Sequence, residues 1–90
     1  MRLDVFLANS GRIPRRTQAK QACDRGLVVV EGKPAKAATP VEVGQKITVR
    51  TGMSIRVYCI LALPLHPVPR DQREAYTVLL SSESAANRGD

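Results

Sequence analysis

The hydrophobic positions at the start of the chain follow the period of a helix. Leu3, Phe6 and Leu7 stand at i, i+3 and i+4, which places them on one face of a helix over residues 2 to 8. The tripeptide Asn-Ser-Gly at residues 9 to 11 then favours a turn. The pattern therefore predicts a short helix with one buried apolar face.

A second helix is predicted over residues 15 to 25. Pro14 suits the first turn of a helix, because its missing N–H would have no intrahelical partner there. Gly26 is typical of the position just after a helix. The small apolar residues of this segment share one side of the helix, which we expect to pack inward: Ala19, Ala22 and Cys23.

After the second helix the pattern becomes that of strands. Runs of β-branched or alternating residues are separated by Gly-containing turns, so we expect an antiparallel sheet. The predicted strands cover residues 27 to 30, 33 to 36, 46 to 50, 54 to 63 and 75 to 80.

Three prolines interrupt the second half of the chain. Pro64, Pro67 and Pro69 lack the N–H that a sheet ladder needs, which predicts a stiff loop over residues 64 to 74. No apolar periodicity is present after Leu80, so we expect a mobile tail. The expected organisation is a domain over residues 1 to 63, a loop and last strand over 64 to 80, and the tail over 81 to 90.

The predicted fold class is α+β, with two N-terminal helices packed on a small, mostly antiparallel sheet that gains an extra C-terminal strand. The chain has 90 residues, which is enough for one compact domain with a thin core. We expect it to fold without a cofactor.

The formal net charge of +6 lies entirely in the first part of the chain. Residues 1 to 50 hold ten Lys/Arg against four Asp/Glu, whereas residues 51 to 90 hold four of each sign. Clustered basic side chains release condensed counterions from nucleic-acid phosphates, so we expect a polyanion partner at the N-terminal half. The alternative is a solvated basic surface that keeps the protein soluble.

The second predicted helix carries a polar stripe beside its apolar side. Arg16, Lys20 and Asp24 stand at i, i+4 and i+8, so they share one face. Further arginines lie nearby, at Arg12, Arg15 and Arg25. Because of these neighbours, we favour a face that meets a ligand over a solvated face neutralised by Asp24.

The sequence offers no catalytic constellation. His66 is the only histidine and lies among prolines, the acids are scattered, and no glycine-rich phosphate loop is present. Cys23 and Cys59 fit no metal-ligand spacing and stand in apolar patterns, which favours small structural side chains over reactive thiols. We expect a binding protein without a metal rather than an enzyme.

Aromatic residues and long apolar runs are scarce. The chain has one Phe, two Tyr and no Trp, and Phe6 is assigned to the core, so no platform for stacking single-stranded bases is expected. The basic surface should instead meet the phosphates of structured RNA or DNA. No apolar run approaches the ~20 residues of a membrane span, which favours a cytoplasmic protein without a membrane partner.

Four motifs in sequence order resemble the S4 RNA-binding domain, in which two helices and a hairpin form the RNA-binding face. They span residues 2 to 50 and are RLDVFL, RRTQAKQA, GLVVVEGKP and VEVGQKITV. Within that family the chain is similar to free-standing proteins of ribosome-associated quality control (RqcP-like) and to the heat-shock S4 protein (HslR-like). The opening MRLDVFL and the late AYTVLL carry this closer similarity.

The resemblance implies a partner and a set of site residues. It implies binding to a large (50S) ribosomal subunit that carries peptidyl-tRNA, contacts to 23S rRNA and tRNA, and an alanine-tailing factor as a protein partner. We also expect a monomer off the ribosome. Asp4 would orient a nearby arginine. The RNA-binding set, completed from the charge pattern, is Arg2, Arg12, Arg15, Arg16, Thr17, Lys20, Arg25, Lys33 and Lys36.

Two alternatives stay open at this point. One is the heat-shock role, in which the protein rescues stalled 50S–tRNA complexes without alanine tailing. The other is a basic module that docks an acidic protein.

Overall fold

Two helices precede a five-stranded sheet in the computed structural model, which describes residues 1 to 84. The helices are α1 (Leu3–Asn9) and α2 (Arg16–Asp24). The strands are β1 (Val28–Val30), β2 (Lys33–Pro34), β3 (Lys46–Thr51), β4 (Ser54–Ile60) and β5 (Thr77–Ser84), and a 3-10 helix (Arg70–Ala75) lies between β4 and β5.

The five strands form one sheet in the order β2-β1-β3-β4-β5, and every neighbouring pair is antiparallel. The last strand in the sequence therefore joins at the edge beside β4. The predicted α+β class, with its two N-terminal helices and extra C-terminal strand, is confirmed.

The β1–β2 hairpin turns through two residues with positive φ. Glu31 has φ of 51° and Gly32 has φ of 78°, the backbone of a tight turn that follows the right-handed twist of its strands. The Glu31 side chain also ties the turn to β3, because its Oε1 accepts a hydrogen bond from the Lys46 N–H at 2.7 Å. The turn keeps Lys33 exposed at the start of β2.

The core lies between the two helices and one face of the sheet. Leu3, Phe6 and Leu7 of α1 are completely buried, which confirms the helical period predicted for them. From α2, Ala19 and Cys23 are buried as predicted, whereas Ala22 is half-buried and packs at the edge of the core. Small side chains on this face let α2 approach α1 closely.

Backbone hydrogen bonds fix the start of α1 on the segment before β3. The Leu3 N–H donates to the Thr39 carbonyl at 2.8 Å, and the Asp4 N–H donates to the Ala37 carbonyl at 3.1 Å. These bonds satisfy two of the N–H groups that a helix N-terminus leaves unpaired. The first residues of the chain are therefore held in place.

The proline-containing segment is attached to the end of α1. The Asn9 side chain donates to the Pro64 carbonyl at 3.1 Å, and the Val68 N–H donates to the Asn9 carbonyl at 2.8 Å. The expectation of a loop throughout residues 64 to 74 was wrong in its second half, where the 3-10 helix forms. The prolines end at Pro69, so the following residues are free to make local N–H bonds.

Other predicted strand boundaries also differ from the structure, among them the strand predicted over residues 33 to 36, which ends at Pro34. The strand expected over residues 54 to 63 ends at Ile60, where the chain leaves the ladder. The tail expected from residue 81 was wrong for residues 81 to 84, which continue β5 and pair with β4 as far as Ser54. Main-chain pairing with β4 needs no apolar periodicity in the added strand. Residues 85 to 90 of the expected tail lie outside the described residues.

Candidate nucleic-acid interface

A buried carboxylate holds two exposed arginines near the starts of the two helices. The Asp4 Oδ1 accepts a hydrogen bond from Arg2 Nε at 3.0 Å, and its Oδ2 accepts one from Arg2 Nη2 at 3.2 Å. The Nε of Arg16 lies 3.5 Å from Asp4 Oδ2 and completes an ion-paired triad. The three residues are named here the Arg2–Asp4–Arg16 cluster.

The burial within this cluster is strongly uneven. The Asp4 side chain is 2% exposed, whereas those of Arg2 and Arg16 are 48% and 60% exposed. Arg2 forms a two-bond fork with the carboxylate, and Arg16 approaches it through Nε alone. Both guanidinium groups therefore keep N–H donors that face solvent while their positions are restrained.

The chain places these groups through the two helices. Arg2 occupies the N-cap position of α1, and Asp4 lies in the first turn of that helix. Arg16 is the first residue of α2. Asp4 is further fixed because its Oδ1 accepts the Val5 N–H at 2.8 Å. The carboxylate that pairs with Arg16 is Asp4 of α1, not Asp24, which shares the polar face of α2.

The pKa of Asp4 is lowered from its ordinary value. Burial of the carboxyl alone would raise this pKa, but the hydrogen bonds from Arg2 and from the Val5 N–H act in the opposite direction. The charges of Arg2 and Arg16 lower it further. Asp4 is therefore an anion at neutral pH, and the cluster has a net positive charge.

Two further predicted residues join the cluster on α2. Thr17 and Lys20 line the same surface depression as Arg2, Asp4 and Arg16. Both are exposed, and Lys20 follows Arg16 by about one helical turn. Five of the ten residues expected in the site thus form one continuous surface.

Four of the other predicted basic residues are exposed but do not line this depression. Arg15 immediately precedes α2, and Arg25 follows its last residue. Lys33 lies on β2, and Lys36 lines a groove with Asp24 between the end of α2 and the chain after β2. Their contacts with RNA stay predictions.

Residues 1 to 47 match the family model described as the S4 domain, which is more than half of the chain. The chain belongs to the S4 domain family. Three of the four motifs that carried the resemblance lie within this match, and the fourth, VEVGQKITV, begins inside it and ends two residues beyond it.

Relatives and a solved structure extend the comparison beyond the S4 domain. The RQC P-site tRNA stabilizing factor of Bacillus subtilis (strain 168) is 37% identical over 79 residues, which are 88% of this chain and 92% of that protein. The protein of the same name from Helicobacter pylori (strain ATCC 700392 / 26695) is 38% identical over 84% of this chain and 92% of its own length.

The structural comparison supports the same fold. Heat Shock Protein 15 of Vibrio cholerae, solved in a trimeric structure, has a TM-score of 0.84 and 23% identity, over 90% of this chain and 82% of that chain. This likeness shows a shared fold. The resemblance to the S4 family and to its quality-control proteins is confirmed, and the fold is shared with the heat-shock protein.

Arg12, which was predicted to lie with the basic helix, contacts the C-terminal part of the protein instead. Its Nε donates to Thr77 Oγ1 at 2.7 Å, and its Nη2 donates to the same oxygen. Its Cζ lies 4.5 Å from the centroid of the Tyr58 ring, a cation–π contact. These contacts hold Arg12 against β4 and β5, and its contact with RNA stays a prediction.

Two arginines outside the S4 match were missed by the sequence analysis. Arg70 and Arg73 line one cavity together with Arg12. Because residues 51 to 90 are neutral in sum, net charge gave no reason to single them out. The only signal in the sequence was their i, i+3 spacing in the segment after the last proline.

Cys23 is unsuited to nucleophilic or redox chemistry. Burial, together with the charges of Asp4 and Asp24, raises the pKa of its thiol to about 11. The thiol is therefore protonated at neutral pH, as the expected structural role requires.

Proposed function

We propose that this S4 protein binds the large (50S) ribosomal subunit while the subunit carries peptidyl-tRNA. It contacts 23S rRNA and tRNA in ribosome-associated quality control, in which alanines are added to the C-terminus of a stalled nascent chain. The observation that carries the proposal is the Arg2–Asp4–Arg16 cluster, in which a buried carboxylate restrains two exposed guanidinium groups.

The restraint on Arg2 and Arg16 lowers the entropy cost of binding. A free arginine side chain loses about 0.5 to 1.5 kcal/mol of rotamer freedom when a partner immobilises it. Arg2 and Arg16 are already restrained by Asp4, so part of this loss occurs on folding. Their remaining N–H donors match the paired oxygens of a phosphate.

The type of nucleic-acid contact follows from the composition of the surface. Arg2, Arg16, Thr17 and Lys20 supply cations and a hydroxyl, with no aromatic side chain among the residues that line the depression. Such a surface binds phosphates and sugars rather than splayed bases. This agrees with structured RNA as the partner.

The names of the relatives support the particular pathway. Two relatives that are 37% and 38% identical are called RQC P-site tRNA stabilizing factors, and the chain covers 92% of each. The proposed role is one of binding, and the tailing chemistry is assigned to the separate tailing factor. We place the protein in the cytoplasm, where its ribosomal partner is found.

Sedimentation tests this proposal. A tagged protein expressed in its own cells should migrate with 50S particles in a sucrose gradient at low salt. Recovery only at the top of the gradient would contradict the proposal. Treatment with nuclease distinguishes an RNA partner from an acidic protein partner, because association through an acidic protein would survive loss of the RNA.

Alanine tailing is tested separately. Deletion of the gene should abolish C-terminal alanine tails on a reporter whose translation stalls. Persistence of normal tails would favour the heat-shock role, in which stalled 50S–tRNA complexes are rescued without tailing.

A further inference from the structure

A second group of cations lies where the loop after α1 meets the 3-10 helix and β5. Arg12, Arg70 and Arg73 line one cavity of about 770 Å³, and Glu74 is the acidic residue in its wall. Within residues 1 to 84, none of these four residues forms a salt bridge. In that part of the chain, three guanidinium groups therefore face one cavity without a carboxylate partner.

Two of the three guanidinium groups are held in place by the fold. Arg12 is fixed by its hydrogen bonds to Thr77 and by the Tyr58 ring. Arg73 lies against the backbone of Gly11, where a Cβ atom would come within 2.2 Å of the Arg73 Nε. A side chain at residue 11 would displace the guanidinium from this position, and Gly11 also has a positive φ of 79°.

The hydrogen bonding of Arg73 is incomplete. Its Nε is buried and has no hydrogen-bond partner in the described part of the chain. Buried polar groups are normally paired, so an orphaned guanidinium N–H calls for an explanation. A phosphate oxygen in the cavity would supply an acceptor for the Arg73 guanidinium.

We infer that this cavity binds a phosphate group of an RNA backbone. The inference rests on the proposed function, since it adds a second contact to the same RNA-bound state. The cavity shares no residue with the Arg2–Asp4–Arg16 cluster or the depression around it. The protein would thus hold two backbone segments at once, one at the starts of the helices and one beside β5.

The chemistry of the wall favours phosphate over a base. Besides the charged residues and Thr77, the cavity is lined by the aliphatic side chains of Leu61, Val78 and Leu79. Aliphatic side chains pack against ribose but provide no stacking surface. Guanidinium forks pair well with two phosphate oxygens, and this pairing is independent of base sequence.

Binding of the full chain to two separate probes tests the inference. The probes are purified large ribosomal subunits and deacylated tRNA, and the variants are Arg70→Gln and Arg73→Gln. Arg56→Gln is the matched control, because Arg56 is an exposed β4 residue outside both basic sites. Arg16→Gln reports on the first site in parallel.

We expect each of the two variants to weaken binding to at least one probe about fivefold, whereas Arg56→Gln does not. The slope of log affinity against log salt should also become shallower, by about 0.7 to 0.9 for each phosphate that the variant no longer neutralises. Weaker binding to subunits assigns the phosphate to rRNA, and weaker binding to tRNA assigns it to tRNA. Both results support the inference.

Several results would overturn it. If Arg70→Gln and Arg73→Gln bind both probes as Arg56→Gln does, while Arg16→Gln binds weakly, the second site is refuted and the proposed function stands. If the wild type binds neither probe, the proposed function fails, and the second site with it. If the two variants bind both RNA probes normally but no longer co-purify with a protein that the wild type retains, the cavity binds an acidic protein instead.

Folding does not obscure the test. Arg73 is partly buried, so Arg73→Gln must be shown to melt cooperatively before its affinity is interpreted. Arg70 is exposed, so Arg70→Gln removes a cation from the cavity wall without opening the core.

Discussion

Asp4 holds Arg2 by two hydrogen bonds, at 3.0 and 3.2 Å, although the Arg2 side chain stays 48% exposed. The carboxylate lies inside the protein and the cation it orients lies at the surface. A contact that stabilises the fold therefore also shapes the surface offered to a partner, and the two effects can be measured separately.

The first prediction concerns the stability that Asp4 provides. Asp4→Asn keeps the shape of the side chain but removes its charge, so the bonds to Arg2 lose their charge-assisted character. We expect the free energy of unfolding at pH 7 to fall by about 1 to 3 kcal/mol, measured by urea denaturation. An unchanged midpoint would mean that the cluster contributes nothing to the fold.

The pH dependence of unfolding gives an independent check. The pKa of Asp4 is lower in the folded protein, so its stabilisation is fully present above the unfolded value of about 3.8. That stabilisation is lost as the pH falls through the lower, folded value. The wild type should lose more stability than Asp4→Asn between about pH 5 and pH 2. Parallel curves for the two proteins would contradict the lowered pKa.

The second prediction compares two exposed arginines in different parts of the chain. Arg16→Ala should weaken binding to large subunits by about 1 kcal/mol, or about fivefold, because one phosphate-facing cation is removed. Arg56→Ala removes the same charge from β4, away from the cluster, and should change the affinity little. Equal effects in a filter-binding titration would remove the case for a localised site.

The third prediction concerns the two thiols. Cys23 is buried and the pKa of its thiol is raised to about 11, whereas Cys59 is half-buried. A thiol reagent at pH 8 should modify Cys59 first and reach Cys23 only on unfolding, since the thiolate is the reactive form. The variants Cys59→Ser and Cys23→Ser separate the two rates. Rapid labelling of Cys23 in the folded protein would contradict its structural role.

The fourth prediction concerns the replacement of a glycine, which should displace an arginine without changing any charge. Gly11→Ala should force the Arg73 guanidinium from its position and weaken RNA binding at the second site. Gly44→Ala is the control, because Gly44 also has positive φ, at 92°, but faces open space. Both changes should cost stability by about 1 kcal/mol through backbone strain. Wild-type affinity in both variants would show that the position of Arg73 does not matter.

The sequence predicted what depends on local pattern. The spacing of Leu3, Phe6 and Leu7 was enough to define the buried face of α1, and Gly26 marked the end of α2. The S4-like order of motifs also placed Arg2 and Arg16 in one candidate site. Helical period and local turn chemistry act over a few residues, so they can be read directly from the chain.

What the sequence did not predict depends on contacts between distant residues. Arg12 was grouped with the arginines near the second helix because of its place in the sequence, but its partners Tyr58 and Thr77 lie on β4 and β5. Arg73 meets Gly11 only because the 3-10 helix folds back on the loop after α1. Neither contact has a periodicity or motif that marks it in advance.

In our proposal, the Arg2–Asp4–Arg16 cluster attaches this protein to a large subunit that carries peptidyl-tRNA. Affinity purification of the tagged protein from cells with stalled translation, followed by identification of the bound RNA and nascent chains, measures this attachment itself. Arg2→Ala/Arg16→Ala is compared with the wild type and with Arg50→Ala/Arg56→Ala, which removes two exposed arginines from β3 and β4. We expect 23S rRNA and peptidyl-tRNA to be recovered with the wild type and with the control, and to be absent with the cluster variant. Equal recovery with all three proteins, or an RNA-free eluate from the wild type, would show that the cluster does not attach the protein to the subunit.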